Sequence, residues 1–192
     1  MTNPSGKRED ICRTALELFA EHGFHGTSMA MIADNAGVGA GTIYRYFENK
    51  DVLIKVLYKS IEGQIVEVVR KDCPPGGPVR TRFIHITRVL LNYCISHPRE
   101  FRYIEQYHNS PYGVSFRRDK LLGKSADHDI IHELFKEGRA QGVIKDLPLT
   151  IFFAIALGPL IAVARDHILG FIVLDDALIT QTVEACWDGV EK

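Results

Sequence analysis

The sequence has little excess charge of either sign, few cysteines and no signal-like apolar start. Its 23 Lys and Arg against 24 Asp and Glu give a net charge of -1, which argues against indiscriminate nucleic-acid binding through a basic coat. The four cysteines lack CxxC spacing and are expected to be free thiols in a reducing compartment. The opening residues, MTNPSGKRED, contain no apolar core, so we predict a cytoplasmic protein without a secretory signal.

A membrane-spanning run is also missing. The longest uncharged apolar stretch, Leu149–Ala164, has 16 residues, contains Gly158 and Pro159, and is followed directly by charged residues. A membrane span needs about twenty apolar residues. We therefore predict a buried helix here, and no membrane partner.

The sequence contains no Ser-His-Asp order, phosphate-binding loop or dinucleotide fingerprint. His128 and His132 lie one helical turn apart, so one metal ion could reach both imidazoles. The HDIIH segment resembles a zincin motif with Asp for Glu, but its shorter acid and the lack of a third ligand favour a solvated helix face. We expect no catalytic residue, no metal and no cofactor.

What the sequence does contain is helical periodicity throughout, with 46% hydrophobic residues to form a core. Capping residues, glycines and prolines delimit the helices, and Asn109–Gly113 is predicted to be a loop. The fold class is all-α, and the predicted helices are Lys7–His22, a short one capped by Thr27, Ala40–Tyr46, Lys50–Lys71, Val79–Ser96, Arg99–His108, Ser125–Gln141, one opened by Asp146–Pro148 that ends near Leu169, and a last one from Asp175 or Asp176.

Residues 27–47, TSMAMIADNAGVGAGTIYRYF, predict two short helices joined by a tight turn at Ala36-Gly37-Val38. Gly37 can adopt the left-handed conformation that this turn requires. Ile32, Ile43 and Phe47 would pack inward, and the second helix would face outward. Its first turn, Gly39-Ala40-Gly41, carries almost no side chain, so its backbone could approach a groove or a phosphate. Hydroxyl and cationic donors follow at Thr42, Tyr44, Arg45, Tyr46 and Lys50.

The stretch Ile11–Leu53 resembles the TetR/AcrR family of bacterial regulators. The features that carry the resemblance are Ala15, Phe19, Gly23, Thr27-Ser28, Ile32-Ala33, Ala36-Gly37-Val38, Gly41-Thr42-Ile43-Tyr44, Tyr46-Phe47, Lys50 and Leu53. They cover about a quarter of the chain, and the remainder is similar to the family only in being helical.

This resemblance implies a homodimer whose second motif helix enters the major groove of an operator. It implies an N-terminal three-helix helix-turn-helix head over residues 1–48 and a C-terminal helical bundle for ligand binding and dimerisation over residues 49–192. The implied DNA-contacting positions are Thr27, Thr42, Tyr44, Tyr46 and Lys50, with Gly39, Ala40 and Arg45 as variable neighbours. Gly39 stands where the family commonly has Ser, so a phosphate-contacting hydroxyl is lost, and base readout is expected to rest on Thr42 and Arg45 with help from DNA shape.

The C-terminal part suggests two further sites. Aromatic side chains with interleaved polar groups are typical of a small-molecule pocket, and core packing, the more frequent role of such residues, is the alternative; the candidates are Phe101, Tyr103, Tyr107, Phe116, Phe152 and Arg165. The last two helices are more apolar than one buried face requires, which indicates a dimer interface. Its candidates are Phe152, Leu160, Val163, Ile179, Val183 and Trp187, with plain core again the alternative.

Together these features predict a ligand-responsive transcriptional regulator, by default a repressor that a small molecule releases from a palindromic operator. Its expected partners are double-stranded DNA, an unknown small-molecule effector and a second copy of the chain. Two other classes stay open: a helical ligand carrier whose head no longer binds DNA, and a hydrolase that uses the His-Asp-His region.

Overall fold

A computed structural model describes residues 4–74, 76–121 and 130–192 of the chain. Within these residues lie ten α-helices, and apart from one isolated bridge between Ile144 and Glu191 no β-structure occurs there. The all-α prediction is confirmed. The helices are α1 Pro4–Gly26, α2 Met29–Asn35, α3 Ala40–Tyr46, α4 Lys50–Lys71, α5 Val79–Ser96, α6 Pro98–His108, α7 Pro111–Leu121, α8 Ile130–Ala140, α9 Leu149–Ile168 and α10 Asp176–Val190.

Two helices differ from the sequence-based expectation. Gly23 breaks α1 with a positive φ of 75°, as predicted, but Ser28 rather than Thr27 caps α2, because its Oγ accepts from the Met31 N–H at 3.1 Å. The predicted loop Asn109–Gly113 is wrong: α7 begins at Pro111. Proline is well tolerated in the first turn of a helix, where its missing N–H would have no partner. The predicted start of α8 at Ser125 lies outside the described residues.

The chain forms two compact units. The first contains the described residues up to Gly63 together with Arg99–Arg117, and the second contains Gln64–Pro98 together with the described residues from Arg118 onward. The predicted division at residues 48 and 49 therefore differs from the observed one, because the first half of α4 and most of α6 belong to the first unit. Buried Leu53, Ile54 and Leu57 explain this, since they need apolar cover from the other helices of that unit.

The first unit is held together by aromatic packing and by a few polar bonds from α6 and α7. Tyr103 donates from its hydroxyl to the Ile54 carbonyl, and burial raises the pKa of this phenol. The Gln106 amide donates to the Phe19 carbonyl at 2.9 Å. Tyr112 donates to Asp51 Oδ1 at 2.6 Å, a bond that raises the pKa of Tyr112 to about 12. These bonds fix α1 and the start of α4 to α6 and α7.

The second unit is a bundle in which α5, α9 and α10 pack on one another and α8 packs on α5. The Phe83 and Trp187 rings meet at 5.3 Å, and the Phe135 and Phe152 rings meet at 4.6 Å. Two glycines permit close helix approach, because a Cβ at Gly138 would collide with Ile144 and one at Gly189 would lie 2.7 Å from Ile155 Cγ2. This close packing produces a core lined by α5, α8, α9 and α10.

Candidate DNA-binding surface

The turn between α2 and α3 is built as the sequence predicts. Gly37 has a φ of 64°, and the Val38 N–H donates to the Ala33 carbonyl at 2.9 Å. Such a left-handed residue ends a helix by satisfying its last carbonyls. Ile32 and Ile43 are fully buried, which fixes the two short helices against the rest of the first unit. The pair therefore forms a rigid helix-turn-helix.

The helical register of α3 decides which of its side chains face outward. Ile43 is fully buried, whereas Gly41 and Arg45 lie nearly opposite it on the helix and are exposed. Tyr44 is 54% exposed, an unusual exposure for a large aromatic side chain. We call the exposed residues Ala40, Gly41, Tyr44 and Arg45 the recognition face.

The polar groups around this face are partly ordered by neighbouring rings. The Arg45 guanidinium lies 5.3 Å from the centroid of the Tyr46 ring, and Thr42 and Tyr46 are half-buried at the edges of the face. The exposed Arg8 lies 5.4 Å from the Phe47 centroid and adds a cation beside α3. No pattern in the sequence marks Arg8, because its position depends on how α1 crosses α3.

Gly39 is the N-cap of α3, a position that favours glycine, but no packing contact within the chain explains the glycine at position 41. Neither Gly39 nor Gly41 has a positive φ, and a Cβ added at either would have no neighbouring atom within 4 Å. Glycine inside a helix costs roughly 1 kcal/mol relative to alanine. The chain therefore carries a destabilising residue at Gly41, and the fold gains nothing from it.

Thr27 was predicted to contact DNA, and the structure corrects this. Its side chain is 1% exposed, and its hydroxyl donates to the Leu18 carbonyl at 3.1 Å. A hydroxyl used in this way links α1 to the residue that precedes the cap of α2. Thr27 thus positions the helix-turn-helix and cannot present its side chain to a duplex.

Lys50 lies at the first position of α4, and its ammonium makes hydrogen bonds within the chain. Lys50 Nζ donates to the Phe24 carbonyl at 2.8 Å and to the Thr27 carbonyl at 3.1 Å. These carbonyls follow the break in α1 at Gly23, where regular helix bonds are lost. An ammonium has three N–H donors, so the third can still serve a phosphate. The sequence could not reveal the two internal bonds, which join residues far apart in the chain.

We expect Lys50→Met to lower the thermal stability of the protein as well as its affinity for DNA. The variant keeps the length of the side chain but leaves two carbonyls without their charged donor, a loss of about 1.5–3 kcal/mol. Thermal unfolding followed by circular dichroism measures the first effect, and the salt dependence of DNA binding measures the second. Lys55→Met, at an exposed position of the same helix, is the control. Unfolding of Lys50→Met at the wild-type temperature would contradict the structural role.

Comparison with known proteins assigns the chain to a family. Residues 11–57 match the profile described as "Bacterial regulatory proteins, tetR family", and residues 78–191 match the profile described as "Tetracyclin repressor-like, C-terminal domain". The chain belongs to the TetR family. Members of this family are DNA-binding transcriptional regulators that typically respond to ligands and act as dimers, and they are generally not enzymes. The sequence-based prediction of the family and of this function is confirmed.

Individual relatives within the TetR family agree with the assignment. An "Uncharacterized HTH-type transcriptional regulator" of Haemophilus influenzae is 23% identical over 96% of this chain and 95% of its own length. A "Fatty acid metabolism regulator protein" of Bacillus subtilis is 41% identical, but over only 34% of each chain. A TetR-family regulator from Marinobacter aquaeolei superposes with a TM-score of 0.85 at 22% identity, covering 98% of this chain and 97% of that one. The last match shows a shared fold.

The predicted effector-binding residues of this TetR-family chain are divided between the two units. Phe101, Tyr103, Tyr107 and Phe116 belong to the first unit, whereas Phe152 and Arg165 belong to the second. In the first unit the rings pack on one another; Tyr107 stacks on Tyr58 at 3.8 Å, and Phe116 meets Tyr58 at 5.0 Å. Core packing, the alternative left open by the sequence, accounts for these aromatic residues.

The predicted dimer residues also need correction. Phe152, Leu160, Ile179, Val183 and Trp187 are all buried within the chain itself, and only Val163 is half-buried. The five buried residues occupy the inward faces of α9 and α10, so their side chains are not available to a second copy. Plain core, the alternative that the sequence left open, accounts for these five residues.

The opposite side of α9 is apolar and uncovered. Its residues recur every three or four positions, are exposed or half-buried, and include a single charge. Ile151 is 45% exposed and Ile161 is 41% exposed. By length and composition α9 could cross a membrane, yet one of its faces packs in the core. The predicted buried helix is therefore buried on that face and exposed on the other. We call this surface the α9 face; it comprises Ile151, Ala154, Gly158, Ile161, Ala162, Arg165 and Leu169.

The predicted absence of a metal site concerns a segment that is only partly described. His128 lies outside the described residues, and His132 lies on α8. Within the described ranges, no group of three His, Cys, Asp or Glu side chains is arranged to hold a metal ion. The four cysteines form no disulfide; Cys186 is buried, and burial raises its pKa to about 11.

Proposed function

We propose that this TetR-family chain is a homodimeric repressor that binds a palindromic operator through the recognition face and leaves it when a small molecule binds the second unit. The observation that carries the proposal is the recognition face itself. Gly41, Tyr44 and Arg45 are exposed on a helix whose other side is buried, so a duplex can reach them. A protein with this role works in the bacterial cytoplasm, where the chromosome lies.

Different residues of the face are suited to different parts of the duplex. The Arg45 guanidinium can donate two hydrogen bonds to one guanine, the commonest specific contact in the major groove. The Tyr44 hydroxyl suits a phosphate, as does the remaining N–H of Lys50. Arg45 would therefore carry most of the sequence preference, whereas Tyr44 and Lys50 would contribute to affinity for any sequence.

A second copy of the chain is the partner that best fits the α9 face. In an isolated chain this face would leave a row of apolar side chains in water, which soluble proteins usually cover. Pairing of two such faces about a two-fold axis would present two copies of α3 to half-sites about 34–36 Å apart or a multiple of that spacing. The dimer would then bind a palindrome through twice the contacts.

A helix shared by both units offers a route for the effector. α4 starts at Lys50 in the first unit and continues past Gly63 into the second. A ligand that binds the second unit better in one conformation than in another shifts the population toward that conformation. Through α4, such a shift would change the position of the recognition face, and the operator would be released.

We expect Tyr44→Ala to weaken operator binding about tenfold while the dimer stays intact. The side chain is exposed, so its removal costs the fold little, whereas a phosphate contact is lost. The operator is first obtained by selecting bound fragments from the genome of the organism that encodes the protein. Fluorescence anisotropy then measures affinity, and light scattering coupled to gel filtration measures the mass.

Val68→Ala, which truncates an exposed apolar residue of α4 in the second unit, is the control for Tyr44→Ala. Dissociation of the Tyr44→Ala dimer would show that the recognition face has been misplaced. Selection of no DNA at all would reject the repressor and favour the ligand carrier.

A further inference from the structure

A small apolar cavity lies inside the second unit, between α5, α8 and α9. Its volume is about 10 Å³, room for about one water molecule. The single polar side chain on its wall, Thr87, donates to the carbonyl of Phe83 at 2.7 Å and is thus satisfied by its own helix. The cavity is therefore apolar, and its wall is formed by Phe83, Ile86, Thr87, Ile131, Leu134 and Leu157.

An ion pair joins the two helices that supply most of this wall, α5 and α8. Arg82 lies one helical turn before Ile86, and Glu137 lies one turn after Leu134. Arg82 Nη2 is 2.5 Å from Glu137 Oε2, and the guanidinium lowers the pKa of this carboxyl. The Arg82 side chain is only 16% exposed, whereas Glu137 is 40% exposed. The carboxylate can therefore move out into water, and the guanidinium cannot.

Three buried donor nitrogens near the Phe83 side of the cavity lack a hydrogen-bond acceptor among the described residues. They are Nε and Nη2 of Arg82, although Nη2 is in the ion pair with Glu137, and Nε1 of Trp187, whose ring packs against Phe83. Buried polar atoms in native proteins almost always have a hydrogen-bond partner, so each exception requires an explanation. Because all three atoms are donors, the missing group is an acceptor.

We propose that this cavity widens to hold the apolar body of a hydrophobic monocarboxylate, whose carboxylate binds Arg82 in place of Glu137. The inference rests on the proposed function, because it names the chemical class of the effector. A planar guanidinium binds a carboxylate through two parallel hydrogen bonds, which would give Nε its acceptor. A single arginine matches a single negative charge, and the apolar wall matches a hydrocarbon body.

The cavity is adjacent to a weak turn of α9, which explains how it could widen. Pro159 follows two residues after Leu157 and has no N–H to donate to the carbonyl of Ile155. A helix that lacks this bond bends at lower cost. A ligand can stabilise such an opened conformation even when it is rare in the free protein. Because α9 also carries the α9 face, opening would change the dimer as well.

Trp187 is the only tryptophan of the chain, and its ring packs on Phe83 of the cavity wall, so its fluorescence is a probe of changes there. The free dimer is titrated with hexanoate, decanoate and tetradecanoate, each compared with the alcohol and the amine of the same chain length. We expect a saturable change in emission with at least one carboxylate. The matching alcohol and amine should bind about tenfold more weakly or worse, because neither supplies a charged acceptor.

Two substitutions at the ion pair should act in opposite directions. Arg82→Gln should weaken binding of that carboxylate about tenfold or more. Glu137→Gln should strengthen it, because the ligand no longer competes with a charged carboxylate for the guanidinium. A role in folding alone would not predict tighter binding. Arg80→Gln, which removes an exposed arginine of the same helix that pairs with Glu184, is the matched control and should bind as the wild type does.

Equal binding of alcohol and carboxylate, or unchanged binding in Arg82→Gln, would overturn the proposal; so would the absence of any saturable change. Operator binding is measured on the same samples. If the operator is bound but no carboxylate releases it from the wild type, the effector class is wrong while the repressor function stands. If no operator is bound, the proposed function fails by itself, and the fluorescence titration still decides whether the carboxylate site exists.

Discussion

Replacing Ile151 and Ile161 by aspartate should convert the protein to a monomer and weaken operator binding by about 100-fold or more. Both residues lie on the α9 face and are 45% and 41% exposed in the single chain. Four carboxylates would then meet in the two-fold interface, two from each copy, where like charges repel and lose their water. Linking two half-site contacts typically raises affinity 100- to 10,000-fold, and a monomer loses that gain.

The double substitution should leave the fold of each chain intact, because neither side chain is part of the core. Mass photometry at low concentration measures the oligomeric state, and circular dichroism checks the helical content. The matched control is Val68→Asp with Val143→Asp, which places two charges at exposed apolar residues of the second unit outside α9. A dimer that survives both charges on the α9 face would refute this interface. A monomer that binds the operator as tightly as the wild type would refute the need for pairing.

The sequence predicted the helix-turn-helix closely because local chemistry determines it. Gly37 ends α2 with a positive φ, Asn49 caps α4 by accepting from the Val52 N–H at 3.0 Å, and buried Ile43 fixes the register of α3. Each of these signals lies within a few residues of the feature that it controls. Local signals of this kind can be read from one chain without knowledge of its tertiary contacts.

The faces of α9 and α10 could not be predicted in the same way. α9 is apolar on nearly all sides, so hydrophobic periodicity gives no register for it. Whether α9 turns Phe152 or Ile151 toward the core depends on the side chains that α5 and α10 pack against it. Thr27 and Lys50 illustrate the same limit, because their hydrogen bonds join α1, α2 and α4 across long sequence distances. Contacts of this range require the assembled fold.

Gly41→Ala should raise the stability of the protein and lower its affinity for DNA. A methyl group at this position meets no chain atom within 4 Å, so the variant should gain up to about 1 kcal/mol from helix propensity alone. In the complex, the same methyl group would hold α3 away from the groove. We expect affinity to fall about tenfold, since shifted hydrogen bonds weaken steeply with distance and angle, and Gly41→Leu should cause a larger loss.

Gly63→Ala separates the two effects. Gly63 is also exposed inside a helix, and its added Cβ would meet nothing within 4 Å. Without effector, the unfolding temperature of Gly63→Ala should rise by about as much as that of Gly41→Ala. Its affinity for the operator should equal that of the wild type. If Gly41→Ala kept full affinity, then α3 would not approach DNA closely at this point, and the recognition face would have to be placed elsewhere. If Gly41→Ala lost stability as well as affinity, the fold itself would require the glycine. The destabilising effect of glycine in a helix would then need no explanation from DNA binding. A close contact between α3 and the groove predicts that Gly41→Ala raises stability and lowers affinity. The added methyl group contacts no atom in the free protein and would contact the duplex only in the complex.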